Sequence, residues 1–234
     1  APLTAVLINL FGWRAPFAVL SALLALMAFT VGRSRDGSVP LADATAPVVR
    51  QPLTLDAWIL IGASAAIATT GLTTIVIAGT WLNDVLGVST GGVGLVAMAF
   101  GAAEFAASSS SAAIADRAGP IQSTRVALSI AVVGLLVMSQ AGTSLAVGAL
   151  GLLIFFLGFE FSIVTSFSIV SEAMQQARGR ALAANSAVGT AARGVGIMIS
   201  GVTYESFGIK GPITISVSAA VIGVALLTIG IRRS

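Results

Sequence analysis

The sequence predicts an all-α integral membrane protein, a helical bundle of about seven transmembrane helices. Three observations carry this. Of 234 residues, 56% are hydrophobic and only 9% charged, with a mean hydropathy of +1.01. A soluble domain carries about 25% charged residues, so this surface has too few charges to dissolve. The apolar residues fall in runs close to the ~20 residues that a helix needs to cross a ~30 Å hydrocarbon core. The runs do not alternate with the period of two that barrel strands require.

Seven stretches qualify or nearly so, at residues 15–32, 57–80, 91–115, 125–141, 144–171, 181–204 and 212–231. Residues 2–11 are apolar but too short to cross, and read as the tail of a span that starts upstream. A signal peptide does not fit this end, because the apolar run breaks at Gly12-Trp13-Arg14 and then resumes for a full span. Residues 33–55 hold Pro40, Pro47 and Pro52 among charges of both signs, and read as a flexible cytoplasmic linker. The expected organisation is residues 1–32, the linker 33–55, and six tightly connected spans over 56–234.

Basic residues set the orientation. Arg33, Arg35, Arg50, Arg117, Arg125, Arg178, Arg180, Arg232 and Arg233 fall on one side, and Arg14 and Lys210 on the other. The richer side is expected to be cytoplasmic, with the C-terminus inside a plasma (inner) membrane. Trp58 and Trp81 bracket the second span, about 35 Å apart at ~1.5 Å per residue, as residues at two interfaces are.

Composition also excludes chemistry. The chain has no Cys and no His. Disulfides, Cys/His metal sites and Ser-His or Cys-His nucleophiles are therefore absent, and neither a metal nor another cofactor is expected. No phosphate-binding Gly-x-x-x-x-Gly-Lys-[Ser/Thr] occurs, so this chain does not drive work with ATP. A net charge of +3 is no nucleic-acid signal. The expected partners are membrane lipid, a small-molecule substrate and protons.

Three loops then carry a resemblance. Gly12-Trp13-Arg14-Ala15-Pro16-Phe17, Asp116-Arg117-Ala118-Gly119, and Glu172 with Arg178-Gly179-Arg180 stand in order and on consistent sides. They resemble loops of the major facilitator superfamily, whose two six-span halves are joined by a long cytoplasmic loop. The likeness is closest to its bacterial drug- and sugar-efflux-permease-like branch. It implies that the chain runs from the end of the family's span five through span twelve, the C-terminal half of that fold plus the preceding span, with the N-terminal half missing. It also implies that Asp116, Arg117, Gly119, Glu172 and Arg178 belong to cytoplasmic gating loops. The pattern departs from the family at Ala112, where Gly is usual, and at Pro120 and Ile121, where basic residues are usual. Transporter halves are built from inverted three-span repeats, which makes the third and sixth spans of this half-plus-one equivalent. Glu104 lies 15 residues before Gly119, and Arg193 lies 15 residues before Gly208.

Glu104, Glu160 and Arg193 sit deep in their spans. Each lies about 18–20 Å from the cytoplasmic end at ~1.5 Å per residue. An unpaired charge there costs roughly 2.5–3.5 kcal/mol on insertion scales. Glu160 and Arg193 lie on consecutive spans and are expected to pair, because Arg stays charged and grips a carboxylate with two donors. Glu104 is left as a carboxyl able to change protonation at mid-membrane, which proton coupling requires. A static network of all three is the rival reading.

Helical spacing groups further candidates. Asn185, Gly189, Arg193, Gly196 and Ser200 form one stripe; Phe156, Glu160, Val164 and Phe167 form another. Thr70, Thr73 and Thr74, with Asn185, Phe156 and Phe167, are candidates for a substrate path, although hydroxyls more often bond back to their own helix. The small-residue rows Ala99-Ala103-Ala107-Ser111 and Ala192-Gly196-Ser200 are expected to meet the other half.

The expected function is secondary active transport of small organic molecules by alternating access, as a proton-coupled exporter rather than an enzyme. A proton-coupled importer of sugars or organic anions is the near alternative. A seven-span receptor or retinal pigment is more remote, since the single Lys210 lies in a loop and offers no Schiff base within a span. A membrane enzyme would need a carboxylate or Ser-Lys mechanism, and no such constellation occurs.

Overall fold

The computed structural model describes residues 2–33 and 52–231. Most of the expected linker, with Arg35, Arg50, Pro40 and Pro47, lies outside the described residues, as do Arg232, Arg233 and Ser234. Among the described residues every element is helical. The chain divides into two units, Ala1–Gln51 and Pro52–Ser234.

The first unit holds α1 (Pro2–Phe11) and α2 (Ala15–Arg33). Gly12 ends α1 at φ +80°, a conformation that costs Gly little, and its N–H donates to Ile8 O at 2.9 Å. In the turn, Trp13 meets Phe17 edge-on at 6.4 Å, and the Arg14 guanidinium lies 5.1 Å over the Trp13 ring.

The second unit holds α3 (Leu55–Asp84), α4 (Thr90–Ala118), α5 (Pro120–Ser139), α6 (Leu145–Ala173), a 3-10 turn (Gln175–Ala177), α7 (Arg178–Phe207) and α8 (Lys210–Ile231). The seven expected spans correspond to α2 through α8. The helices start and stop for local reasons. Thr54, Ser89 and Ser144 cap α3, α4 and α6 through their side-chain oxygens, satisfying backbone N–H groups that have no partner within the helix. Pro120 opens α5, where its missing N–H is no loss.

By length and composition α3, α4, α5, α6 and α8 can each cross a membrane. In α2 the apolar part is the shorter Ala15–Thr30. The 30-residue α7 is not among the five. It carries Arg178, Arg180, Arg193 and Glu205, and much of the rest is Ala, Gly, Ser and Thr. Its small residues pack on α3, and Val195, Met198 and Val202 remain exposed on its other face.

Short connections make the six helices alternate. α3, α5 and α7 run away from the basic end of the unit, where Arg117 and Arg178 lie; α4, α6 and α8 run towards it. The most extensive packing joins antiparallel α5 to α6, and α3 to α8. Glycine makes the α5–α6 seam. A Cβ on Gly151 would lie 2.6 Å from Met138 N, and one on Gly158 would lie 2.5 Å from Ala127 O, so the backbones approach as only small residues allow. Leu128, Leu135, Met138, Leu152 and Phe155 join Ile61, Ile67 and Leu227 in one buried core, in which Trp81 lies against Gly148 of α6.

Candidate functional site

Two parallel helix pairs frame the middle of the second unit. In the first, α7 lies on α3. Ser200 Oγ donates to Thr73 O at 2.7 Å, and a Cβ on Gly196 would stand 2.8 Å from Thr69 Cγ2. In the second, α4 lies on α6, and Phe100 stacks on Phe156 with centroids 4.3 Å apart and planes 8° from parallel. The pairs are locked in register through α3 and α6, where Phe159 lies against Gly71 and the Ser64 and Ser166 hydroxyls share a hydrogen bond of 3.1 Å.

These contacts bring Glu104, Glu160 and Arg193 to within about one helical turn of a common level, as expected from counting residues. Their partners differ from expectation. No ion pair joins Glu160 to Arg193 among the described residues. Arg193 donates Nε–H to Gly189 O at 3.2 Å and Nη2–H to Thr190 Oγ1 at 3.0 Å, both on its own helix. Helix packing explains the change, because α6 lies more extensively on α4 than on α7. Glu160 therefore shares its seam with α4, the helix that carries Glu104. Each Glu stands four residues after one ring of the stacked pair, so Phe100…Glu104 and Phe156…Glu160 form two equal steps on parallel helices. The repeated Phe-x-x-x-Glu was the signal in the sequence, and proximity along the chain obscured it.

The threonine path is corrected. Thr70, Thr73 and Thr74 are each 0% exposed. Thr70 and Thr73 donate back to Ala66 O and Thr69 O, and Thr74 shares a 2.8 Å hydrogen bond with Ser216. They belong to the packed interior of α3. Phe156 is buried in its stack, while Phe167 is 43% exposed. Asn185 is 3% exposed, and its Oδ1 has no hydrogen-bond partner.

The small-residue rows are corrected too. Ala103, Ala107 and Ser111 are buried within the unit, and Gly196 and Ser200 press on α3. The faces left open are the others. On α4 these carry Glu104, Phe105 and Ser108; on α7 they carry Val195, Met198 and Val202. Small residues let helices approach, and those of the rows that are buried serve packing within the unit, while Ala99 stays exposed.

At the basic end Arg117, Glu172 and Arg178 are exposed, and the side chain of Asp116 lies outside the described residues. Gly119 ends α4 at φ +81°, its N–H donating to Ala115 O at 2.9 Å. Gly208 ends α7 at φ +58°, its N–H donating to Tyr204 O at 2.8 Å. Gly119 and Gly208, each 15 residues beyond Glu104 and Arg193, thus both end their helices at positive φ, as Gly12 does for α1. No group of acidic residues able to hold a metal occurs among the described residues.

The Major Facilitator Superfamily model matches residues 1–197. No curated protein and no solved structure gave a match.

Proposed function

The chain belongs to the Major Facilitator Superfamily, a family of secondary transporters of small molecules, and from that premise we propose that it works as a proton-coupled exporter of small organic compounds. The observation that carries the reading is the Glu104–Glu160 step beside the Phe100–Phe156 stack. Two carboxylates on adjoining helices repel, and binding a cation relieves that repulsion. A proton and a cationic substrate can each supply the relief, but they compete for it. Such competition is what antiport requires: substrate leaves as a proton takes its place. The rings beside the carboxylates suit an aromatic or lipophilic cation.

Alternating access supplies the movement. The open faces of α4 and α7 offer Phe105, Met198 and Val202 to a second six-helix half, against which the described unit rocks. The exposed Arg117, Glu172 and Arg178 are its gating contacts at the basic end. Arginine distribution favours that end as the cytoplasmic one, in a bacterial inner membrane with the C-terminus inside.

Arg193 favours a second reading. Its guanidinium is held by a carbonyl and a hydroxyl rather than by a carboxylate, and so remains available to an organic anion. That reading predicts uptake of an anion together with protons.

The test is the full-length transporter in proteoliposomes, with a fluorescent aromatic cation as probe and an imposed pH gradient. Export coupling predicts cation movement against its gradient and opposite to the protons. Glu104→Gln should abolish this movement while leaving cation-for-cation exchange. Undiminished uphill movement in Glu104→Gln would exclude Glu104 as the coupling residue. Anion uptake with protons would favour the second reading.

A further inference from the structure

A groove of about 420 Å³, which neither Glu104 nor Glu160 lines, opens where α4, α5 and α6 meet. Ile114, Val126, Ile130, Leu157 and Phe161 form its apolar walls. Along α5 it runs from Gln122 to Ile130, about 12 Å at ~1.5 Å per residue. One leaflet of a ~30 Å core has nearly that depth, ~15 Å. The groove begins at the basic end, beside the α4–α5 turn.

One hydroxyl in it is out of place. Ser123 lines the groove and is 6% exposed, and its Oγ is buried without a hydrogen-bond partner. Other buried hydroxyls among the described residues are satisfied. Thr124 bonds to Pro120 O and Thr165, Ser111 to Ser108 O, and Ser162 to Phe159 O. Helix serines ordinarily bond back in this way, and leaving a buried polar group unsatisfied costs about 1–3 kcal/mol. The Ser123 hydroxyl, at the shallow end of an apolar groove, fits a ligand with a polar junction and a long apolar chain.

Two arginines stand near the mouth. Arg117 is exposed on the last turn of α4, next to Ala118 of the groove wall. Arg125 lines an adjoining hollow that shares Gln122, Val126 and Ile130 with the groove. It donates Nη2–H to Thr228 Oγ1 at 3.0 Å, and its Nε has no partner. Guanidinium groups suit phosphate, and basic pockets between membrane helices suit anionic headgroups.

We propose that this groove is a binding site for one anionic glycerophospholipid of the adjoining leaflet. An acyl chain lies along α5 from Val126 to Ile130, an ester carbonyl accepts the Ser123 Oγ hydrogen, and the phosphate sits between Arg117 and Arg125. The site is separate from the transport path.

Native mass spectrometry of the full-length protein, titrated with phosphatidylglycerol or phosphatidylcholine of identical chains, tests this. The wild type should retain one phosphatidylglycerol with about tenfold preference over phosphatidylcholine, as two charge-assisted contacts warrant. Ser123→Ala should weaken retention about two- to tenfold, the value of one hydrogen bond. Ala118→Trp, at an exposed position in the mouth, should abolish it. Arg117→Gln with Arg125→Gln should remove the headgroup preference. Equal retention of the two lipids by wild type, or wild-type retention in Ala118→Trp, would overturn the proposal. So would displacement of the lipid by the aromatic cation that the transporter moves, which would make the groove part of the transport path.

Discussion

α7 lies on α3 much as α4 lies on α6: parallel helices, meeting at the same level, related by the inverted repeat. The two seams nevertheless differ in chemistry. Between α3 and α7 the hydroxyls of Thr69, Thr73 and Ser200 are bonded and buried or half-buried, as in Ser200 Oγ to Thr73 O at 2.7 Å. Beside the α4–α6 seam the polar groups are two carboxylates, Glu160 half-buried and Glu104 on the open face of α4, one turn beyond a stack of rings. A hydroxyl can satisfy itself on its own helix, so it tolerates burial and makes a strut. A carboxylate cannot, so it faces water, a cation or a proton. The repeat supplies two copies of one frame, and side-chain chemistry makes one rigid and the other responsive.

Substitution should separate the two seams. The largest effect is expected from removing both carboxylates. Glu104→Gln with Glu160→Gln should cut pH-driven transport about a hundredfold, ~2.7 kcal/mol of barrier, while thermal unfolding in detergent moves by no more than about 0.5 kcal/mol. A large loss of stability instead would make the open seam structural. Next comes Gly196→Leu, whose side chain would enter Thr69 and Thr73 of the closed seam. Overpacking of this kind costs about 1–3 kcal/mol, and should appear as a lowered Tm. On the open α4 face a Cβ on Gly101 meets nothing within 4 Å, so Gly101→Leu should leave Tm unchanged. The smallest effect is Ser200→Ala, which removes one interhelical hydrogen bond worth about 0.6 kcal/mol in a membrane. Transport should survive it, and a transport loss without a Tm change would move the working site to the closed seam.

The sequence made some of this legible and hid the rest, for physical reasons. Helix existence was plain because spans of ~20 residues are imposed by the bilayer. The shared level of Glu104, Glu160 and Arg193 along their helices was plain because rise per residue is constant. Partner choice was not. Glu160 and Arg193 are near in sequence, but α6 turns its Glu160 seam to α4, and only packing of the whole unit decides that. Burial of Thr70, Thr73 and Thr74 was similarly hidden, since a threonine that lines a path and one that bonds back read alike. The small-residue rows were recognised as packing surface but assigned to the wrong neighbour. The unpartnered Ser123 hydroxyl carries no sequence signal at all, for the same residue type four residues after a free carbonyl would be satisfied.

The two seams should differ in access to water, the α4–α6 side wet and the α3–α7 side dry. These 234 residues hold no Cys, so single cysteines placed among them report this once any cysteine elsewhere in the full-length protein is replaced. The direct measurement is the rate at which a water-soluble maleimide labels Ser108→Cys, one turn beyond Glu104, compared with Ser200→Cys, in the full-length protein in proteoliposomes. The account predicts labelling at Ser108→Cys, changed by an imposed pH gradient, and none at Ser200→Cys. Labelling of Ser200→Cys as fast as Ser108→Cys, or protection of both under every condition, would contradict it.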